Sequence, residues 1–460
     1  MNEILSRDID IFIEENKEAL LRDIGRLVAV NSVESEAAPG APFGKGAAEA
    51  LELGLKISAE LGLDTRNCED MIGYASVGEG DKYIATITHL DVVPTGDGWS
   101  SDPFEMRTRE GYIIGRGVLD DKGPTVLCLY ALKYLKEKKI PLRYEVRALL
   151  GINEETGMGD VEYYLANYPA PAFCFSPDAN FPLINGEKGI YHGRIIAEFD
   201  NENIVDIKGG FAANAVADSA QAIVKSDKQL ESCGNVTAKQ LEAGLWQLEA
   251  VGIGGHASMP EGTVNAIGEL AHYILDNALV SGNEEKYLQL VTLLTDSYDG
   301  KLLGVEADDG LFQPLTIVGG VIGMENGRMF QTVDSRYPTN TDGEKIAAAI
   351  SEKGEGFAHC TVDRDTAPFY MSLDNPCVKV CLDAYNTVTG EDTKPYTIGG
   401  GTYSRDFPNA VPFGPEHPER PSPDFAGPIH GVDEAASIAD LLEALKIYIL
   451  TLIRLQEIEI

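Results

Sequence analysis

The 460-residue sequence predicts an α/β fold, in which a doubly wound, mostly parallel sheet is interrupted by an inserted α+β domain. Three observations lead to this prediction. The chain is too long for one ordinary hydrophobic core, so two domains are expected. Short apolar runs alternate with amphipathic helical stretches over 1–186. The pattern changes over 187–374, and the first pattern returns over 375–460.

The first segment begins with two predicted amphipathic helices, because apolar residues recur at helical spacing over 8–30 and 47–61. Apolar runs that predict strands follow at 73–77, 83–88, 144–151 and 172–175. A helical pattern over 126–136 lies between the second and third of these runs. Because strands and helices alternate, we expect mostly parallel strand pairing in this segment.

The middle segment, 187–374, is predicted to form the inserted α+β domain. Strand patterns at 193–199 and 246–253 alternate with a helical pattern at 264–279. The stretches 315–323 and 327–337 predict a hairpin that turns over Met324, Glu325 and Asn326.

The last segment returns to the first pattern. Its predicted elements are a helix near 378–386, a strand at 396–398, a glycine loop at 399–401, a proline-rich loop at 408–428 and a closing helix at 434–456. The predicted domains are therefore 1–186 together with 375–460, and 187–374.

Charge and composition exclude several classes of function. The chain carries 37 Lys and Arg against 73 Asp and Glu, a formal net charge of −36. Such a field repels nucleic acids and anionic lipids, so we expect no nucleic acid and no membrane as partners. No apolar run has membrane-spanning length, and no signal-peptide pattern opens the sequence. The seven cysteines, an odd number without metal-binding pairs, favour a reducing cytoplasm.

Acidic residues and histidines occur where predicted strands of the first pattern end, or in its loops. Taken singly they are weak signals, since a His-x-Asp is usually a surface pair and a Glu-Glu pair is usually a solvated turn. Together they bring five carboxylates and two imidazoles to one sheet edge, which is where open α/β sheets place ligands. The residues are His89, Asp91, Asp120, Glu154, Glu155, Asp178 and His430. Without cations such a cluster would repel itself strongly.

Charge counting favours two metal ions in this cluster. Asp120, Glu155 and Asp178 contribute three negative charges, which two divalent ions and one hydroxide would balance. Mixed imidazole and carboxylate ligands suit zinc, and manganese is plausible. Two such ions about 3.5–4 Å apart could share a water molecule, lower its pKa and polarise a carbonyl.

The motifs HLDVVP, GRGVLDDKGP, GINEETGMGD, SPDA and IHGVDE resemble the metal motifs of the co-catalytic dizinc peptidase family. That family includes aminoacylase, carnosinase, desuccinylases and bacterial dipeptidases. The resemblance implies that Asp120 bridges two metals, most often zinc, with manganese or cobalt as alternatives. It implies that His89 and Asp178 complete one metal site and that Glu155 and His430 complete the other. Glu154 would be the general base, and Asp91 would orient His89.

The inserted domain resembles the lid domain of the same family, and four residues follow from this. By resemblance Asn214 helps bind substrate, His256 binds the oxyanion, and Arg336 grips the substrate carboxylate through its planar fork. Gly400 lies in GGGTYSR, a stretch expected to pass close to the substrate backbone. Without the metal motifs, these residues would be equally compatible with turn, cap and surface ion-pair roles.

The length of the lid, 187–374, resembles that of the PepV-type bacterial dipeptidases, whose lid residues serve their own chain. The resemblance therefore implies a monomeric dipeptidase that acts on small peptides. The alternative is an aminoacylase or another amide hydrolase of the same family, because both cleave an amide next to a carboxylate. An inactive binding protein on this fold would be expected to lack Glu154 or a metal ligand, and all of them are present.

Overall fold

The computed structural model describes residues 3–460, which divide into two compact units. The first unit comprises the chain up to Asn185, Tyr370–Tyr396 and Gly401–Ile460, and the second comprises Gly186–Phe369 and Thr397–Gly400. The sequence-based division places its borders before 187 and before 375. It also assigns Gly400 to the first domain, whereas this residue groups with the second unit.

Helices account for much of both units. Within residues 3–460 they are α1 (Glu3–Val28), α2 (Lys45–Glu60), α3 (Lys122–Glu137), α4 (Gly159–Asn167), α5 (Ala266–Asp276), α6 (Gly282–Thr295), α7 (Gly343–Lys353), α8 (Pro376–Thr389) and α9 (Ile438–Leu455), with a short 3₁₀ helix at Tyr403–Asp406. None of these helices is both long and apolar enough to cross a membrane.

The strands of residues 3–460 are mostly short. They are β1 (Asp64–Cys68), β2 (Ile72–Val77), β3 (Tyr83–His89), β4 (Arg107–Arg109), β5 (Tyr112–Ile114), β6 (Glu145–Gly151), β7 (Phe173–Ser176), β8 (Ala179–Asn180), β9 (Ile184–Glu187), β10 (Gly189–Ala197), β11 (Ile204–Gly209), β12 (Ala215–Val216), β13 (Ser219–Lys225), β14 (Val236–Glu242), β15 (Leu245–Val251), β16 (Gly255–His256), β17 (Thr316–Val318), β18 (Ile322–Glu325), β19 (Arg328–Tyr337), β20 (Ala358–Cys360), β21 (Arg364–Thr366), β22 (Phe369–Tyr370), β23 (Tyr396–Ile398), β24 (Ala410–Pro412), β25 (Pro415–Glu416) and β26 (Ala435–Ser437).

The first unit is built around a six-stranded sheet with the order β1-β2-β6-β3-β7-β24. Strand β3 pairs in parallel with β6 and β7, and β24 pairs in parallel with β7, whereas β1, β2 and β6 are antiparallel neighbours. All seven residues of β3 are buried, as its unbroken apolar run predicts for a central parallel strand. The predicted α/β class with a mostly parallel sheet is confirmed.

The second unit contains a ten-stranded sheet whose main path is β14-β15-β13-β11-β18-β19-β10-β20. Its pairs are antiparallel, and helices α5, α6 and α7 contribute to its core. The predicted hairpin is formed by β18 and β19, but the turn is at Asn326 and Gly327 because Glu325 pairs with Arg328. Both turn residues have positive φ, at 50° and 79°, which suits an Asn-Gly hairpin turn.

Two predictions for the last segment are wrong in detail. The closing helix begins at Ile438 rather than at 434, because Ser437 caps it by accepting a hydrogen bond from the Asp440 N–H. The residues just before it form β26, which pairs with β5. The predicted proline-rich loop contains β24 and β25, and Pro412 is tolerated because β24 is the edge strand of its sheet.

Candidate active site

The parallel strands of the first unit deliver acidic and imidazole side chains to one edge of the sheet. Strand β3 ends at His89 itself, and β6 ends at Gly151, three residues before Glu154 and four before Glu155. Strand β7 ends at Ser176, two residues before Asp178. Since β3 is parallel to both neighbours, these ends lie side by side, and the structure brings the side chains together as the sequence predicts.

Asp120 lies at the centre of this cluster, between two histidines. Its Oδ1 is 2.9 Å from Nε2 of the buried His89, and its Oδ2 is 2.8 Å from Nε2 of His430. His430 is about half exposed and also approaches Oε1 of Glu155 at 3.2 Å. On the other side, His89 Nε2 is 3.6 Å from Oδ2 of Asp178. Each carboxylate oxygen of Asp120 therefore faces a different imidazole, which is the arrangement that a bridging ligand needs.

Two groups of possible metal-ligand atoms meet in this cluster. In one group, atoms of His89, Glu154 and Asp178 all lie within 4.8 Å of one another. In the other, atoms of His89, Asp120 and Glu155 do so. The adjacent residues Glu154 and Glu155 thus belong to different groups, consistent with side chains that serve different purposes.

The chemistry of these residues fits divalent metal ions. His89 Nε2 and Glu155 Oε1 are buried, and the contacts with Asp120 and His430 at 2.9 and 3.2 Å lack hydrogen-bond geometry, so neither atom is satisfied within residues 3–460. Leaving such atoms unsatisfied costs about 1–3 kcal/mol each, a penalty that coordination removes. Burial and the nearby Asp120 carboxylate raise the pKa of Asp178 to about 8. Burial and Asp178 likewise raise the pKa of Glu154. A cation would offset both effects.

Asp91 lies beside His89, and both its backbone carbonyl and its carboxylate make contacts that position the site. The ring atom Nδ1 of His89 lies 3.0 Å from the backbone carbonyl of Asp91 and 3.5 Å from its carboxylate. The carboxylate instead accepts hydrogen bonds from the backbone N–H groups of Glu154 at 3.2 Å and Glu155 at 3.1 Å. When Nδ1–H donates to the carbonyl, Nε2 keeps its lone pair for a ligand. Asp91 therefore positions both the imidazole and the turn that carries the two glutamates.

Two buried carboxylates outside the predicted set hold this site in place. Glu434 forms an ion pair with Arg116 at 2.7 Å, and its other oxygen accepts the backbone N–H of Asp120 at 3.3 Å. Asp160 accepts the N–H of Ile152 and the hydroxyl of Tyr403, both at 2.6 Å, and so holds the end of β6. Glu434 lies in the motif IHGVDE and Asp160 in the motif GINEETGMGD, so the sequence pattern could have marked both residues. It could not have identified Arg116 and Tyr403 as their partners.

The residues predicted for the lid lie in the second unit. Ala215 of β12 pairs with His256 of β16, so Asn214 lies next to His256. The backbone N–H of Ser258 donates to Nδ1 of His256 at 3.1 Å. Desolvation and the nearby Arg336 lower the pKa of His256. The ring is therefore neutral with its proton on Nε2, where it can donate to an oxyanion.

Arg336 is buried and held by a neighbouring carboxylate. Its Nε and Nη2 donate to the two oxygens of Asp334 at 2.9 and 3.1 Å, and Nη1 donates to the carbonyl of Gly399 at 3.2 Å. A Cβ atom added to Gly399 would lie 2.9 Å from Cβ of Ser258, so packing requires a glycine there. A Cβ atom at Gly400 would meet only Ile398, at 3.7 Å, so packing does not require the predicted glycine.

Comparisons with known proteins agree with this architecture. The sequence profile of peptidase family M20/M25/M40 matches residues 85–454. The putative dipeptidase YtjP of Bacillus subtilis (strain 168) is 33% identical over 464 residues, covering 95% of this chain and 97% of that protein. The Beta-Ala-Xaa dipeptidase of Lactobacillus delbrueckii subsp. lactis is 32% identical over 463 residues, covering 95% of each.

The fold is also similar to that of a solved structure. The crystal structure of human carnosine dipeptidase 1 superimposes with a TM-score of 0.60, covering 99% of both chains at 14% sequence identity. At that identity the likeness supports the fold alone.

Proposed function

Since the chain belongs to peptidase family M20/M25/M40, a family of hydrolases, we propose that it is a metal-dependent dipeptidase acting on small peptides with a free C-terminal carboxylate. The observation that carries the proposal is the placement of Asp120 between His89 and His430, with one carboxylate oxygen facing each imidazole. The dipeptidase names of two relatives that match 95% of the chain support the choice of substrate class.

We assign the metal ligands by the oxygen and nitrogen atoms that converge. Asp120 would bridge two divalent ions, His89 and Asp178 would complete one site, and Glu155 and His430 the other. Zinc is the metal that this ligand set favours, and manganese or cobalt are alternatives. Bound there, such ions supply Lewis acidity towards the scissile carbonyl and acidify water.

Glu154 is proposed as the general base. Its carboxylate belongs to the group formed with His89 and Asp178 but is not needed to complete either metal site. It would accept a proton from the attacking water as the water oxygen bonds to the carbonyl carbon. It would then deliver that proton to the amine nitrogen as the carbon–nitrogen bond breaks. The pKa raised by burial and Asp178 suits a group that must hold this proton between the two steps.

Residues of the second unit are proposed to bind the rest of the substrate. Arg336 would receive the C-terminal carboxylate through the Nη1 proton that does not bind the carbonyl of Gly399, because Asp334 engages Nε and Nη2. His256 would donate its Nε2 proton to the oxyanion, and Asn214 would assist from the position just before β12, the strand that pairs with β16. Gly400 would lie along the substrate backbone.

We also propose that the enzyme is a cytoplasmic monomer. The length of the inserted domain, 187–374, supports the monomer, because it resembles that of dipeptidases whose lid residues serve their own chain. All seven cysteines are free thiols, as expected in a reducing compartment.

The proposed function is tested with a substrate panel. Purified protein is stripped of metal, reloaded separately with zinc, manganese or cobalt, and assayed with dipeptides, tripeptides, C-terminally amidated dipeptides and N-acyl amino acids. We expect hydrolysis only in the metal-loaded forms, with dipeptides cleaved fastest. Faster cleavage of N-acyl amino acids would instead identify an aminoacylase, and no cleavage of any member would reject both assignments.

A further inference from the structure

A carboxylate that belongs to none of the assigned roles lies beside the metal site. Glu416 is the second residue of β25, which pairs in parallel with β8, so that Glu416 lies opposite Asn180. Asn180 follows the proposed ligand Asp178 by two residues. The Glu416 side chain is partly buried and interacts electrostatically with Asp120, Glu434 and His430. Its strand pairing and these interactions therefore place Glu416 near the cluster, although it is not one of the assigned ligands.

The charge of Glu416 has no partner in the described part of the chain. Its carboxylate forms no hydrogen bond or ion pair with any of residues 3–460. Arg420, four residues later, is bound to Asp440 and Glu443, and Arg116 is bound to Glu434. Burial and the carboxylates of Asp120 and Glu434 raise the pKa of Glu416 to about 7. A positively charged group beside Glu416 would remove this penalty.

The metal ions themselves do not supply that charge. Two divalent ions and one hydroxide are balanced by Asp120, Glu155 and Asp178, so the assembled centre is neutral. Glu434 is already neutralised by Arg116 at 2.7 Å. Of the other carboxylates near this centre, Glu154 is assigned as the base and Asp91 accepts two backbone N–H groups, whereas the charge of Glu416 has neither a partner among residues 3–460 nor an assigned role. A substrate cation close to the scissile carbonyl would complement it.

A dipeptide carries such a cation, whereas an N-acyl amino acid does not. The free amine of a dipeptide is one or two carbon atoms from the carbonyl that is cleaved, so it must lie near the metal site during hydrolysis. We propose that Glu416 binds this amine and thereby selects dipeptides over N-acylated amino acids. This inference rests on the proposed dipeptidase function and deepens it by naming the residue that binds the free amine of the substrate.

The test compares two substrates that differ only in the amine. Propionyl-leucine is alanyl-leucine without its amino group, so the acyl shape and the leaving group are the same. In wild-type protein we expect kcat/KM to be higher for alanyl-leucine. Glu416→Gln should lower that value by about 10- to 100-fold, the loss expected for one charge-assisted contact. It should leave the value for propionyl-leucine within about twofold of wild type. If propionyl-leucine is not hydrolysed, its inhibition constant is measured instead and should be unchanged.

Matched variants separate recognition from structural effects. Glu419→Gln removes an exposed carboxylate from the same segment and should change neither substrate. Glu416→Asp keeps the charge and should retain part of the preference for alanyl-leucine. Metal content is measured for every variant and should equal that of wild type. Equal losses for both substrates, or loss of metal from Glu416→Gln, would show a structural role and overturn the inference.

The outcomes also distinguish this inference from the proposed function. If wild-type protein hydrolyses alanyl-leucine and Glu416→Gln keeps the same preference, only the role of Glu416 is rejected. If wild-type protein cleaves propionyl-leucine faster than alanyl-leucine, the dipeptidase assignment fails together with the inference.

Discussion

Substituting Glu434 by Gln should destabilise the first unit and weaken its metal site. Glu434 and Arg116 are almost completely buried, with side-chain exposures of 0% and 1%, and their charged atoms are 2.7 Å apart. The second oxygen of Glu434 accepts the backbone N–H groups of Gly117 and Leu119 at 3.1 Å and of Asp120 at 3.3 Å. A glutamine keeps the shape of the side chain but leaves the guanidinium without a counter-charge.

The size of the effect follows from burial. Removing one partner of a buried ion pair typically costs about 3–5 kcal/mol, because the remaining charge stays desolvated. Glutamine can still accept some of the backbone N–H groups, so we expect a loss near the lower end, about 3 kcal/mol. Since the same carboxylate holds the backbone of Asp120, we also expect metal affinity to fall by about 10-fold.

The chain offers a local reporter for this measurement. It contains two tryptophans, Trp99 and Trp246, which lie in different units, and the guanidinium of Arg116 lies 5.2 Å from the ring centroid of Trp99. In a Trp246→Phe background, urea unfolding followed by fluorescence reports on the first unit alone. Metal affinity is measured separately by titration of the metal-free protein.

An exposed ion pair of the same unit provides the control. Arg109 and Glu110 are 3.3 Å apart, with side-chain exposures of 56% and 69%. Glu110→Gln should cost less than about 1 kcal/mol, as is usual for surface pairs. If Glu434→Gln shifts the unfolding free energy no more than Glu110→Gln does, the buried pair does not stabilise the unit and the argument is refuted.

Four further outcomes follow from the proposed function. Chelation should abolish dipeptide hydrolysis, and zinc, manganese or cobalt should restore it; full activity in protein shown by elemental analysis to be metal-free would contradict this. Glu154→Ala should keep about two metals per chain while kcat falls by about 10²–10⁴-fold, whereas Glu155→Ala should lose metal. The opposite metal contents would reverse the two roles. Arg336→Met should raise KM strongly and erase the preference for free over amidated C-termini, so an unchanged ratio of the two substrates would argue against carboxylate binding. Mixing Glu154→Ala chains with His256→Ala chains should give no activity, and recovery on mixing would show that lids act between chains.

The class of fold and the convergence of the site could be predicted because both depend on local patterns. An unbroken apolar run predicts a buried parallel strand, and β3 is buried along its whole length. Parallel strands must present their carboxyl ends at one edge, so residues following β3, β6 and β7 were expected to meet. His89, Glu154 and Asp178 do meet, although they are far apart in the sequence.

Local patterns do not reveal which atom of a side chain makes which contact. Asp91 was expected to orient His89, but the sequence does not say by which atom, and the turn after β3 places its carbonyl closer to Nδ1 than its carboxylate, at 3.0 Å against 3.5 Å. The freed carboxylate then binds the backbone of Glu154 and Glu155. The choice depends on a backbone turn of two residues, which periodicity cannot resolve.

Contacts between distant segments were the other limit, and they explain why the partners of supporting residues could not be predicted. Arg116 and Glu434 are 318 residues apart, and Asp160 and Tyr403 are 243 apart. The position of Glu416 could not be predicted for the same reason, because β25 has only two residues and forms by pairing with β8. A strand of two residues has no periodicity that a sequence pattern could detect, so the proline-rich stretch 408–428 was predicted to be a loop. The metal ligands are visible because chemistry restricts their residue types, whereas groups that position them or select a substrate need only the right place in the fold.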